Sequence, residues 1–267
     1  MLASEEQLIS AAARLIQEAR YAVAFTGAGM STASGIPDFR SRGTGNWENA
    51  DPLEVASLTG FQNSPEAFYE WVRPLAQQMF AAAPNPGHHA LAALERAGLL
   101  TTLITQNIDQ LHRRAGSKRI FKIHGDIGTS SCPSCGCTYS SDQFRDNLLR
   151  EEMELPTCTR CRCILKLDII LFGEILPEKT MCNAQKAVRS CDLMLVAGSS
   201  LQVFPAADLP AMAHRNGASL IIINREETPL DNVAKVVLRA DLAKALPAIV
   251  GRLPTVQSIH GRDTKVT

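Results

Sequence analysis

The chain has 267 residues, 45% of them apolar, with 27 basic and 27 acidic side chains and no formal net charge. That length suits one large domain or two small ones, burying roughly 75% of the unfolded surface. Balanced charge without a basic block gives no general affinity for nucleic acid, and no apolar run approaches the ~20 residues of a membrane helix.

Glu5, Glu6 and Glu18 near the start are wrong for a signal or transit peptide, so a cytoplasmic protein is expected. Residues 5–19 place Leu8, Ile9, Ala12, Leu15 and Ile16 on one helical face. A short apolar run at 21–26 reads as a buried strand feeding a glycine turn. Similar runs recur at 100–105, 193–197, 220–223 and 235–238. Helical patterns lie at 88–97, 108–115, 179–190, 206–216 and 242–253. Strands alternating with helices predict an α/β fold, a parallel sheet with helices on both faces. Two stretches break the alternation: a polar loop and aromatic helix around Phe68, Tyr69, Trp71 and Met79, and the cysteine-bearing residues 128–167. They are expected to pack as a smaller lobe, leaving a cleft of the kind that takes ligands.

Thr26-Gly27-Ala28-Gly29-Met30-Ser31 follows the first strand. Glycines there allow a backbone to approach a pyrophosphate. The dinucleotide fingerprint wants a third glycine where Thr32 stands, and no acidic residue ends a second strand, so hydride-transfer binding is not indicated. Asp38, Phe39 and Arg40, set up by Pro37, suit a loop folding over a charged planar ligand; a surface ion pair is the plainer alternative. Gln106, Asn107, Ile108 and Asp109 come directly after a strand end, where open α/β sheets bind ligands. Their amide and carboxylate groups suit an amide-bearing ring, although helix capping would use the same residue types. His124 follows another strand and suits a general base near neutral pH; His88, His89 and His112 have helical contexts.

Eight cysteines in a cytosolic chain favour ligands or buried thiols over disulfides. Cys132 and Cys135 form one CxxC knuckle, Cys158 and Cys161 a second, and two such knuckles complete a tetrahedral zinc shell. Four thiolates leave no open position, so the ion would be structural. Cys137 and Cys163 read as nearby thiols, and Cys182 and Cys191 as buried ones.

Together these residues resemble one family, the sirtuins. The motifs are Gly27-Ala-Gly-Met-Ser-Thr-Ala-Ser-Gly-Ile-Pro-Asp-Phe-Arg40, Thr105-Gln-Asn-Ile-Asp109, His124-Gly125 and the paired knuckles. Phe172-Gly-Glu174, Gly198-Ser-Ser200 and Asn224-Arg-Glu226 follow in the family's order. The match runs from about residue 5 to 253. It implies one catalytic domain over residues 1–253 with a polar tail at 254–267. A Rossmann-like large lobe would take about 1–44, 84–127 and 168–253, a helical insertion 45–83 and a zinc module 128–167.

The resemblance also implies an NAD-dependent protein-lysine deacylase, with NAD a co-substrate and one structural zinc. Nicotinamide, free lysine and 2′-O-acyl-ADP-ribose would be the products. Gly27, Ala28, Gly29 and Ser199 would hold the phosphates, with Gly198 and Ser200 also among the NAD-binding residues. Asp38, Phe39 and Arg40 would close over the ligand, Thr32 and Trp47 would also bind NAD, and Gln106, Asn107, Ile108 and Asp109 would grip nicotinamide and its ribose. Asn224, Asp241 and Leu242 would meet the adenosine end, with Arg225 and Glu226 also among the NAD-binding residues. His124 would be the base, assisted by Asn107 and Asp109. An acyl-lysine protein would bind as an added strand between 172–176 and 202–204, with Ile169, Ile170, Phe172, Gly173, Glu174 and Val203 around the lysine. A monomer is expected.

Two features depart from relatives. Lys166-Leu167-Asp168 replaces a basic residue and proline before the Phe172-Gly-Glu174 strand. Members preferring acidic acyl groups carry a tyrosine and, three residues later, an arginine; here Tyr69 is followed by Val72 at that place, with Arg73 one step further along. Burying a carboxylate without a cation is costly, so acetyl or another neutral acyl group is favoured, a longer chain being the alternative. Mono-ADP-ribosyl transfer shares the NAD site and is a competing activity. A non-catalytic NAD sensor fits poorly with His124, Asn107 and Asp109 all present. A zinc-ribbon nucleic-acid binder fits poorly with the acidic residues interspersed among Arg145, Arg150, Arg160 and Arg162.

Overall fold

The computed structural model describes residues 3–38, 51–143, 145–148, 154–254 and 256. Phe39, Arg40, Trp47 and nearly all of the tail read at 254–267 lie outside the described residues. The elements in chain order are α1 (Glu5–Glu18), β1 (Ala22–Thr26), α2 (Pro52–Val55), α3 (Leu58–Asn63), α4 (Pro65–Ala81), α5 (Pro86–Arg96), β2 (Thr102–Thr105) and α6 (Leu111–Arg114). They continue with β3 (Ile120–Lys122), β4 (Gly125–Ser131), β5 (Thr138–Ser140), α7 (Arg145–Leu148), β6 (Lys166–Ile169), α8 (Glu178–Ser190), β7 (Leu193–Ala197), α9 (Asp208–Arg215), β8 (Ser219–Ile223), β9 (Val236–Leu238) and α10 (Leu242–Val250).

Six parallel strands lie in the order β3-β2-β1-β7-β8-β9. Strands β1 and β7 are buried along their whole length, as the faces of a parallel sheet covered by helices require. Alternate side chains go to opposite faces. Ala22, Ala24, Leu193, Leu195 and Ala197 pack with α1, α5 and α10. Val23, Phe25, Met194 and Val196 pack with α8 and α9. The chain leaves β1 toward β2 on one side and later returns as β7 on the other. The loops after β1 and β7 therefore diverge from one point, the place where open sheets bind ligands.

A second sheet, β5-β4-β6, is antiparallel. Strands β4 and β6 share an apolar cluster with α3 and α4, in which Phe61, Phe68, Tyr69, Val72, Ile127, Leu167 and Ile169 are buried. Lys166 and Asp168, the unusual pair, have structural roles here. Lys166 Nζ forms an ion pair with Glu174 at 2.9 Å, and Asp168 accepts a hydrogen bond from Thr129.

The 108–115 helix expected from sequence shrinks to α6. Asp109 Oδ1 accepts the Leu111 N–H at 2.9 Å, and Gln110 sits at φ 63°, so the backbone cannot run helically through 108–110. Helix α10 ends at Val250 and is capped by Gly251 rather than reaching 253. Cys191 is buried as expected, but Cys182 is exposed, because α8 buries Ala184, Ala187 and Val188 on its other face.

Candidate active site

The glycine turn is built by backbone contact with the loop after β7. Gly27 N–H donates to the Ala197 carbonyl at 3.1 Å, and Gly29 N–H to the Gly198 carbonyl at 2.9 Å. A Cβ on Gly27 would stand 2.7 Å from the Gly198 oxygen, and one on Gly29 would stand 2.9 Å from the Gly198 Cα. These glycines are thus required by loop-on-loop packing before any ligand is considered. The turn continues as two short 3-10 turns, Ala28–Met30 and Thr32–Ser34.

Beyond the turn, a buried polar cluster ties it to the residues after β2. Ser31 Oγ donates to Asp109 Oδ2 at 2.6 Å and accepts from Asn107 Nδ2 at 3.1 Å. Burial raises the Asp109 carboxyl pKa, opposed by its hydrogen bonds from Ser31 and Leu111. The N-cap of α6 is Gln110, which makes no side-chain capping bond, so Asp109, accepting the N–H two residues on, forms a turn before the helix rather than its cap. Gln106 Nε2 donates to Ser199 Oγ at 2.9 Å. Ser31 was not among the sequence candidates; its place two residues past Gly29 was the available signal.

His124 follows β3, with its Nδ1 3.3 Å from the Gln106 carbonyl oxygen. A carbonyl can only accept, so Nδ1 carries the hydrogen and Nε2 is left bare. Burial lowers the ring's pKa, opposed by the bond to Gln106. A neutral imidazole with one bare nitrogen is the form a general base needs.

All these groups line one cavity of about 890 Å³. Its wall includes Gly27, Ala28, Gly29, Thr32, Asp38, Ile108, Gly198 and Ser200. At one end are Asn224, Arg225, Glu226, Asp241 and Leu242; elsewhere lie Ile169, Ile170, Phe172, Gly173, Glu174 and Val203. Every described candidate for cofactor or substrate is thus brought to one space. Arg225 pairs with Asp241 at 2.8 Å, while Asp241 also caps α10 by accepting from Ala243 N–H. Sequence reasoning missed Trp71, Leu75 and Met79, which line the cavity from α4. Their i, i+4, i+8 spacing puts them on one stripe. Tyr69 faces the other way, fully buried, with its hydroxyl donating to the Leu165 carbonyl at 2.6 Å.

The sulfurs of Cys132, Cys135, Cys158 and Cys161 lie within 4.8 Å of one another. Two of the separations are 3.4 Å, between Cys132 and Cys161, and 3.5 Å, between Cys135 and Cys158. A tetrahedron with zinc–sulfur bonds of ~2.3 Å has edges of ~3.8 Å, so the set fits zinc and leaves no position for a substrate. Each knuckle is closed by its neighbour: Cys132 N–H donates to Cys137 O, and Cys158 N–H to Cys163 O, both at 2.8 Å. Tyr139 Oη lies 3.1 Å from Cys158 Sγ.

The model of the Sir2 family matches residues 27–205. The chain belongs to the Sir2 family, the sirtuins. This sirtuin is 41% identical over 254 residues to the NAD-dependent protein deacylase 2 of Archaeoglobus fulgidus, covering 95% of this chain and 99% of that protein. It is 42% identical over 246 residues to the NAD-dependent protein deacetylase of Sulfurisphaera tokodaii, covering 92% and 96%. Among solved structures, one described as the structural basis for the mechanism and regulation of Sir2 enzymes superposes with a TM-score of 0.86 at 41% identity, covering 95% and 99% of the two chains. Sir2Af2 bound to a myristoylated histone peptide gives 0.80 at 38% identity, covering 96% and 99%. A Sir2 homologue–NAD complex gives 0.83 at 36%, covering 92% and 93%.

Proposed function

We propose that this sirtuin is an NAD-dependent protein-lysine deacylase in which His124 is the general base. The observation that carries the assignment is the proton arrangement of His124 in the shared cavity: Nδ1 is tied to the Gln106 carbonyl, and Nε2 is left to take a proton. NAD is consumed as co-substrate, the acyl group passing from lysine to ADP-ribose as nicotinamide leaves.

The chain's contribution is chiefly positioning, which by itself supplies large rate effects. Gly27 to Gly29 and Gly198 to Ser200 bind the phosphates. Gln106 to Asp109 orient the nicotinamide and its ribose, with Asn107 and Asp109 fixed through Ser31. Asn224, Arg225, Glu226 and the start of α10 take the adenosine end. Four thiolates around zinc hold the second sheet, whose β4 begins directly after His124. An acyl-lysine peptide adds as a strand beside 172–176 and 202–204. Phe172 already donates its N–H to the Ala56 carbonyl and accepts the Leu58 N–H at its own carbonyl, so the pairing uses the residues that follow it.

The acyl group is neutral. Trp71, Leu75 and Met79 all come from one apolar cluster that also holds Ile169 and Leu171. Arg225 is the one lysine or arginine among the described lining residues, and it is paired with Asp241. A carboxylate-bearing acyl chain would lose its hydration against this stripe with nothing to offset the cost. The same stripe favours chains longer than acetyl as a second substrate group.

The test is to incubate the protein with acetyl-, decanoyl- and succinyl-lysine peptides, with and without NAD, and follow masses, with His124→Ala alongside. NAD-dependent loss of the neutral acyl groups, with acyl-ADP-ribose appearing and the variant silent, is expected. Preference for succinyl would overturn the pocket reading. ADP-ribose attached to protein with every acyl peptide left intact would overturn the deacylase assignment.

A further inference from the structure

Behind the cavity, between α5, α6 and the ends of β1 and β2, lie two buried histidines to which the catalytic reading gives no part. His88 is fully buried and His112 is 3% exposed. Their ring centroids are 4.8 Å apart at 60°. Burial keeps both rings neutral, with His88 pushed down to about 3 and His112 held well below its ordinary value. A neutral imidazole has one N–H and one bare nitrogen.

The partners of each ring fix which is which. His88 Nδ1 faces the backbone N–H of Asn85 at 3.3 Å, so Nδ1 is bare and Nε2 carries the hydrogen. His112 Nε2 is 2.9 Å from Thr26 Oγ1. The Thr26 hydroxyl gives its own hydrogen to Thr105 Oγ1 at 2.8 Å, so it accepts from His112, whose Nδ1 is then bare. The two buried nitrogens left over are His88 Nε2 and His112 Nδ1. One is a donor and the other an acceptor, on adjoining rings. Leaving both unsatisfied is costly, and joining them removes both costs.

We infer that His112, together with His88, is a positioning residue that locks the glycine turn to the nicotinamide-binding segment through a relay closed between His88 Nε2–H and His112 Nδ1 by one shared water. Its two ends reach the proposed NAD loops. Asn85 Nδ2 donates to the Met30 carbonyl at 2.9 Å and to Ser34 Oγ at 3.1 Å. Thr105 Oγ1 accepts the backbone N–H of Asn107 at 3.0 Å. Thr26 and Thr105 are also register partners in the sheet, so the hydroxyl pair sits where both loops begin. The inference that the relay serves NAD rests on the proposed function; the relay itself does not.

The first measurement reads the relay alone: long-range ¹⁵N–¹H correlation of the imidazole rings in the unaltered protein. Both rings are expected as neutral Nε2–H tautomers with slowly exchanging protons. An Nδ1–H tautomer at His112 would overturn the relay whatever the enzyme's activity. The second is NAD affinity by calorimetry and the Michaelis constants for NAD and peptide in His112→Phe, His88→Phe, the double variant and His112→Gln. His112→Phe is expected to weaken NAD about tenfold while the peptide KM stays within twofold. His112→Gln, which keeps a donor for Thr26, recovers most of that loss. The double variant is expected to lose no more than the worse single one, because members of one relay are not additive. Additive losses, or equal rises in both Michaelis constants, would reduce the histidines to packing. Where His112→Phe fails to fold, Thr26→Val cuts the relay at its next member and gives the same reading.

Discussion

The close approach of Gly198 to the glycine turn makes a prediction that separates two reasons for a glycine. Gly198 and Gly217 both have positive φ, 65° and 91°. A Cβ on Gly198 would collide with the backbone of Met30 and Gly29 and lie 2.8 Å from Leu242 Cδ1, whereas one on Gly217 would meet nothing within 4 Å. Alanine at Gly217 therefore costs the left-handed strain alone, about 1–2 kcal/mol. Alanine at Gly198 adds overpacking against backbone that cannot rotate away, about 1–3 kcal/mol more. The sum for Gly198→Ala is about 2–5 kcal/mol. At roughly 2–4 °C per kcal/mol for a domain of this size, it should melt several degrees below Gly217→Ala. Because the displaced atoms belong to the glycine turn, NAD affinity should fall about tenfold in Gly198→Ala and stay unchanged in Gly217→Ala. Urea denaturation and calorimetric NAD titration on both variants measure this. Equal stability losses, or an intact NAD affinity in Gly198→Ala, would refute loop-on-loop packing as the reason for the glycine.

Three further outcomes are expected. The acid limb of kcat/KM should have its midpoint below the ~6.5 of a free imidazole, because burial lowers the His124 pKa and the base works only unprotonated; a pH–rate profile with a midpoint above 6.5 would contradict the assigned environment. His88, pushed down to about 3, binds its proton in the unfolded chain before the folded one. Its contribution to stability is therefore complete above pH ~6.5 and is lost as pH falls from there toward 3, about 2–3 kcal/mol of it between pH 6.5 and 4.5. In His88→Phe the loss of unfolding free energy between pH 7 and 4.5 should shrink by that amount, and an unchanged slope would show that His88 is protonated in the native state. Stripping zinc with a strong chelator, or Cys158→Ala, should abolish turnover and loosen the second sheet, read as lost amide-exchange protection in β4 and β6, since metal binding in such knuckles is folding energy; full activity after verified zinc loss would contradict a structural role.

What was legible in the sequence follows from which forces are local. Continuous apolar runs such as 193–197 declared a buried parallel strand because both faces of that sheet are covered. The CxxC spacing declared the metal ligands because two residues per turn of chain suffice to place two sulfurs. The length of α6 was not legible: helical periodicity continued through residues 108–115, but a single carboxylate, Asp109, takes the Leu111 N–H and forces Gln110 to positive φ. The orientation of α4 was not legible either. Tyr69 and Trp71 are two residues apart and both aromatic, and only tertiary packing decides that Tyr69 points to Leu165 while Trp71 faces the cavity. The acyl preference was thus reasoned from a tyrosine that does not line the cavity, and the conclusion of a neutral acyl group now rests on Trp71, Leu75 and Met79 instead. The same limit applies to the histidines. A helical context at 88 and 112 reads as packing, because the chemistry that distinguishes them is a donor and an acceptor, 24 residues apart in numbering, brought together only when α5 and α6 fold against β1 and β2.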